Sequence, residues 1–64
     1  MRNIKEVKKN RYNSNGKRHG YWEFYHDNGQ LWMKGNFING DPDGIWEYYH
    51  KNGDLDEIII YENN

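Results

Sequence analysis

The side chains with the greatest capacity for chemistry are two histidines. His26 and His50 stand 24 residues apart in the matching runs Tyr25-His26-Asp27-Asn28-Gly29 and Tyr49-His50-Lys51-Asn52-Gly53, with carboxylates nearby at Asp27 and Asp54. Imidazole and carboxylate both ligate zinc, which takes about four donors held about 2 Å from the ion. The strand register set out below puts the two histidines on one face but two strands apart, about 10 Å at the usual spacing of about 5 Å per strand. We therefore read them as structural or surface groups. Cysteine is absent, and Ser14, the one serine, falls in a turn, which removes the common nucleophiles. Carboxylates cluster at Asp41 and Asp43 and at Asp54, Asp56 and Glu57. A shallow sheet offers them no pocket in which burial would shift a pKa. The glycines recur at turn spacing, without the strand-loop-helix setting of a phosphate cradle. The expectation is a protein with no catalytic residues, no cofactor and no metal.

These residues are held by a repeat. Sliding the stretch 20–31, GYWEFYHDNGQL, by 24 places lays it on 44–55, GIWEYYHKNGDL, so that Gly20 meets Gly44, Trp22 meets Trp46, Glu23 meets Glu47, Tyr25 meets Tyr49 and Leu31 meets Leu55. A fixed period of this size marks a supersecondary unit copied and laid beside itself. The units are read as residues 20–43 and 44–64, preceded by a partial or degenerate unit at 1–19, all within one small domain.

Four Asn-Gly pairs punctuate the chain, at Asn15-Gly16, Asn28-Gly29, Asn39-Gly40 and Asn52-Gly53. Each lies between runs rich in aromatic and β-branched residues, the setting of a two-residue type I′ hairpin turn. The expectation is an all-β fold: a single-layer antiparallel β-meander of about five strands, over Ile4–Asn13, Arg18–His26, Gln30–Ile38, Gly44–His50 and Asp54–Tyr61. Closing the chain at each pair fixes the register. Asn28-Gly29 sets Trp22 opposite Gly35, Glu23 opposite Lys34, Phe24 opposite Met33 and Tyr25 opposite Trp32. Asn15-Gly16 sets Val7 opposite Phe24, Lys8 opposite Glu23 and Lys9 opposite Trp22. Asn39-Gly40 sets Met33 opposite Trp46 and Leu31 opposite Tyr48, while Asn52-Gly53 sets Trp46 opposite Ile59, Tyr48 opposite Glu57 and Lys51 opposite Asp54.

One face then carries Val7, Trp22, Phe24, Leu31, Met33, Phe37, Trp46, Tyr48, Leu55, Ile59 and Tyr61, and is read as the core. The other mixes Ile4, Tyr12, Tyr21, Tyr25, Trp32, Ile45, Tyr49, Ile58 and Ile60 with charged residues. Pro42 cannot donate to a ladder, so the start of the fourth strand is expected to loop out. Gly20 and Gly44 are expected to mark bulges or places where a ring lies over bare backbone.

Net charge is near zero but unevenly placed: residues 1–18 hold seven Lys or Arg against one Glu, and residues 19–64 hold two Lys against nine Asp or Glu. The basic end is read first as a strand whose charges answer acidic neighbours and guard an edge. The start, MRNIKEVKKNRY, lacks the apolar run of a secretory leader or membrane span, and with no cysteine the expectation is a cytoplasmic protein.

On these residues the chain resembles the bacterial variant of the MORN repeat, whose pattern is close to G-x-W-x-x-Y-x-x-N-G-x-L, then an aromatic strand and N-G-x-x-x-G. Gly20, Trp22, Tyr25, Asn28, Gly29, Leu31, Phe37, Asn39, Gly40 and Gly44 match one copy. Gly44, Trp46, Tyr49, Asn52, Gly53, Leu55 and Tyr61 begin a second, which ends at Asn63-Asn64. Asn15, Gly16 and Gly20 resemble the tail of an earlier copy, although the chain before Tyr12 lacks the aromatic pattern. The resemblance implies a single-layer sheet of successive hairpins acting as an interaction module. It further implies an antitoxin-like role, and for the broader class contact with membrane lipids.

A single layer cannot hide two faces, so association is expected, with another protein or with a second copy as a homodimer or edge to edge. Tyr21, Tyr25, Trp32 and Tyr49, on the mixed face, are the candidate partner-binding residues, since Tyr and Trp are enriched at interfaces. The alternative is a binder of anionic lipid head groups or nucleic acid through Lys5, Lys8, Lys9, Arg11, Lys17 and Arg18. Nucleic acid is disfavoured because the basic residues do not interleave with the rings.

Overall fold

Asn-Gly pairs between aromatic runs reverse the chain, and the computed structural model, which describes residues 8–62, shows where each reversal falls. Four strands result: β1 (Gly20–Tyr25), β2 (Leu31–Ile38), β3 (Asp41–Tyr49) and β4 (Leu55–Tyr61). They form one antiparallel sheet in the order β1-β2-β3-β4, an open meander with no helix among the described residues. The first four residues of the fifth strand expected at the start, including Ile4 and Val7, lie outside the described residues. What is described of it makes one isolated bridge, Tyr12↔Arg18.

Only Asn39-Gly40 forms the expected two-residue turn with both residues left-handed, at φ 49° and 88°. At the other three pairs the glycine alone is left-handed. Gly29 donates to the His26 carbonyl at 3.0 Å and His26 donates to the Gln30 carbonyl at 2.8 Å, the pattern of a type I turn closed by a glycine bulge. Gly53 with His50 and Asp54 repeats it, as does Gly16 with Asn13 and Lys17. The bulge takes up one residue. Glu23↔Lys34 and Phe24↔Met33 pair as expected, but Tyr25 then meets Leu31 instead of Trp32. Likewise Trp46↔Ile59 and Tyr48↔Glu57 hold, and Tyr49 meets Leu55, so Lys51 and Asp54 are not a ladder pair.

A larger departure lies between β2 and β3. Ile38↔Asp41 and Asn36↔Asp43 follow the turn, but from Lys34↔Glu47 onward the register is displaced by two, so Met33 meets Tyr48 and not Trp46. Gly44, left-handed at φ 73°, falls within this irregularity. A displacement of two leaves every side chain on its face. It also lets Trp46 reach back across Gly35, where a methyl group would stand 2.3 Å from the indole Cδ2. The ring over bare backbone is thus at Gly35, while Gly44 marks an irregularity of the ladder, one of the two roles expected of it. Pro42 is inside β3, opposite Phe37. It is tolerated because ladder bonds alternate along the strand and β4 pairs only from Gly44↔Tyr61 onward.

Trp22 and Trp46 are the buried hydrophobic centres, 7% and 2% exposed. Each indole also bonds the chain segment behind it: Trp22 Nε1 donates to the Arg11 carbonyl at 3.0 Å and Trp46 Nε1 to the Asn36 carbonyl of β2 at 3.1 Å. Phe37 stands edge-on to both rings, at 6.0 Å from Trp22 and 4.9 Å from Trp46. Tyr12 packs edge-on against Trp22 at 5.2 Å, which places it on the core face and corrects the expected assignment to the other.

Candidate interaction surface

Alternation sends Tyr21, Glu23 and Tyr25 of β1 to the face opposite the tryptophans. The Tyr21 hydroxyl donates to Glu23 Oε2 at 2.7 Å, the Tyr25 hydroxyl donates to Oε1, and the Lys9 ammonium reaches Oε1 at 2.8 Å. These donors hold the Glu23 carboxyl down at about 2, the Lys9 bond contributing most. The Glu23 bond in turn pushes Lys9 up to about 12, while burial first, and then Glu23, pushes Tyr21 up to about 12. The expected partner of Glu23 was Lys8. Lys9 takes its place, and Asn10, left-handed at φ 56°, breaks the register between Lys9 and the Tyr12↔Arg18 bridge. Asn10 then seals the edge of β1, its N–H donating to the Tyr21 carbonyl at 3.0 Å and its Oδ1 accepting from the Glu23 N–H at 2.9 Å.

The second copy repeats the arrangement. The Tyr49 hydroxyl donates to Glu47 Oε1, Lys34 lies 3.5 Å from the same oxygen, and the Tyr49 bond holds the Glu47 carboxyl below its ordinary value. A row of charges therefore crosses this face in alternating sign: Lys9, Glu23, Lys34, Glu47. Trp32 stands beside it against the His26 ring at 5.7 Å. His26 Nε2 lies 2.7 Å from the Tyr49 carbonyl oxygen, which ties the turn between β1 and β2 to β3, while His50 Nε2 faces Asp56 at 3.3 Å. Each histidine thus has a different neighbour.

All four candidate aromatic residues lie on this face. Tyr25 and Trp32 are exposed, at 48% and 41%, whereas Tyr21 and Tyr49 are half-buried and aligned by their carboxylates. The basic candidates are dispersed. Lys5 lies outside the described residues. Lys8, Lys9, Arg11, Lys17 and Arg18 are exposed, but Lys9 is paired with Glu23 on one face. Arg18 lies on the other, its guanidinium 5.0 Å above the Trp22 ring, 5.7 Å above Phe24 and 5.8 Å above Phe37. Arg18 also borders a groove of about 340 Å³ on the core face, lined by Phe24, Met33, Phe37, Pro42, Trp46, Tyr48 and Tyr61. Within it Tyr48 is pushed up to about 12, by burial and then by its bond to Tyr61, whose hydroxyl is 3.3 Å away.

Sequence reasoning placed three exposed isoleucines on the mixed face without marking them as a surface. Ile45, Ile58 and Ile60 are 61%, 52% and 63% exposed, and Ile45 pairs with Ile60 across β3 and β4. Their signal was the run Ile58-Ile59-Ile60, legible as a surface only once β4 is known to be an edge.

A family model described as a MORN repeat variant matches residues 18–39 and again residues 42–63. No curated protein and no solved structure matches the chain.

Proposed function

Because the chain belongs to the MORN repeat variant family, matched twice over more than half its length, we propose that it is a non-catalytic interaction module whose partner is a protein. The observation that carries this reading is the single layer itself: Tyr25, Trp32, Ile45, Ile58 and Ile60 are each more than 40% exposed, with charges between them satisfied inside the sheet. Rigid rings bordered by fixed carboxylates suit a protein surface, where large contact area is gained with little loss of side-chain entropy. Tyr21, Tyr25, Trp32 and Tyr49 form the proposed contact surface.

Binding through the basic residues has less support. Lys9 is neutralised by Glu23, and Arg18 lies flat on rings of the opposite face, so the cations do not form one surface. An antitoxin-like role in a bacterial cytoplasm is the finer form of the proposal, and it is supported by the repeat resemblance alone.

Affinity capture from a native lysate in low and high salt, comparing the unaltered chain with Trp32→Ala, tests the reading. A protein retained at about 0.5 M salt and lost with Trp32→Ala supports it, since apolar contacts survive screening. Retention of nucleic acid or anionic vesicles alone, released as salt rises, overturns it. Capture of a toxic protein whose activity the chain suppresses would support the finer form.

A further inference from the structure

We propose that the outer edge of β4 is a self-association surface, on which a second copy pairs its own β4 antiparallel about a two-fold axis centred on Ile59. This deepens the interaction reading by naming one partner for a different part of the same sheet.

The two edges of the sheet differ. The edge of β1 is already bonded by Asn10, and Tyr12 bridges Arg18 just ahead of it. β4 is seven residues long, LDEIIIY, without proline, lysine or glycine; its charges Asp56 and Glu57 and the bulge at Tyr48/Tyr49 of β3 lie at its first half, and the run Ile58-Ile59-Ile60 that follows carries none of the usual devices that discourage strand addition. Its side chains from Leu55 to Ile58 are all exposed. Such an edge is a template for another strand.

Which strand can add is restricted by the repeat. A 24-residue shift carries β2 onto β4, so the edge of β4 corresponds to the side of β2 that receives β3. Reception there depends on Gly35, whose lack of a side chain seats the Trp46 indole. The corresponding residue of β4 is Ile59. Its side chain fills the seat, so a strand of the repeat type, carrying its own tryptophan, cannot dock as β3 docks on β2. Head-to-tail addition of β1 from a second copy is excluded on the same ground, because β1 brings Trp22.

β4 carries no tryptophan, and against a second β4 the seat is not needed. Centring the pairing on Ile59 sets Ile58 opposite Ile60 of the second copy, and Ile60 opposite its Ile58. Since Ile45 already pairs with Ile60, three isoleucines from each copy join in one stripe on the mixed face. Glu57 meets Tyr61 of the second copy, a carboxylate against a phenol of the kind this sheet already uses at Glu23 and Glu47. Asp56 meets Glu62, so like charges lie near the ends and added salt strengthens the pairing. The contact is closed and isologous, giving a dimer and not a filament.

Sedimentation equilibrium over a range of concentrations reads the result directly, from the 7.8 kDa monomer to twice that mass. The unaltered chain is expected to dimerise at tens of micromolar, more tightly at 0.5 M than at 0.05 M salt, with Ile58→Lys and Ile60→Glu each weakening the dimer by about tenfold or more. Both positions are exposed, and near-ultraviolet circular dichroism of the tryptophans reports that each variant is folded. Mixing Ile58→Lys chains with Ile60→Glu chains restores dimers, because the register places the two altered positions opposite each other. Trp32→Ala leaves self-association unchanged, so loss of the protein partner and loss of the dimer are separate results. A chain that stays monomeric to about 1 mM, a dimer unaffected by Ile58→Lys, or folded variants that fail to restore the dimer on mixing would overturn the proposal.

Discussion

Replacing Gly35 by alanine tests the packing on which the sheet depends. The added methyl would lie 2.3 to 2.6 Å from three indole atoms of Trp46, so the ring must retreat by about 1 Å to regain ordinary contact beyond 3.4 Å. Trp46 is 2% exposed and surrounded by Phe24, Phe37 and Tyr61. Overpacking costs about 1–3 kcal/mol, and a weakened indole bond to the Asn36 carbonyl adds about 1 kcal/mol. The expected loss is about 2–4 kcal/mol, comparable with the whole stability of about 3–5 kcal/mol available to a core this small. Urea unfolding followed by far-ultraviolet circular dichroism, with trimethylamine oxide present to keep the variants folded, measures it. The decisive comparison repeats Gly35→Ala in a Trp46→Ala background. There the clash is gone, and alanine should be neutral or stabilising by up to about 1 kcal/mol, because Gly35 has no left-handed backbone to strain. Equal losses in the two backgrounds, or no loss in the unaltered one, would refute the seating of Trp46 on Gly35.

Glu23 gives a pH dependence whose sign follows from its lowered pKa. The folded carboxyl titrates at about 2 against 4.5 when free, so its contribution is complete above pH 4.5 and is lost as pH falls towards 2. Thermal unfolding across that range should show this slope, and Glu23→Gln should flatten it. Tyr21 and Tyr48 behave in the opposite sense: each is raised from 10 to about 12, so folding favours the neutral phenol, and that stability is lost as pH rises from 10 towards 12. Tyr49 is raised as well, chiefly by its bond to Glu47, so spectrophotometric titration should show three tyrosines ionising late, and Tyr21→Phe should remove one of them. Arg18→Met keeps the apolar stem but removes the cation over Trp22, Phe24 and Phe37, and a loss of about 1–2 kcal/mol in chemical denaturation is expected.

Much of this was legible in the chain. The 24-residue period, the Asn-Gly pairs and the alternation of side chains located the reversals and sorted Trp22, Phe24, Phe37 and Trp46 to one face and Tyr21, Tyr25, Trp32 and Tyr49 to the other. Those features are local: a turn residue acts through its own backbone, and a strand turns successive side chains to opposite sides whatever lies beside it. The aromatic candidates were therefore placed correctly, but not their alignment by Glu23 and Glu47. Tyr12 changed face because the glycine bulge at the Asn15-Gly16 turn takes up one residue and sets it opposite Arg18, and Lys8 was matched to Glu23 because the left-handed kink at Asn10 leaves no clear mark in composition.

The sequence by itself determined that this chain is a repeated hairpin sheet and which side chains share a face. Only the tertiary structure decided that Trp46 lies back over Gly35, that Arg18 covers rings while Lys9 joins a row of charges, and that β4 leaves Ile58 and Ile60 open at an edge. The reason is the range of the forces concerned. Turn and strand preferences act between near neighbours, whereas bulges and ring seats are chosen by how one strand fits the next.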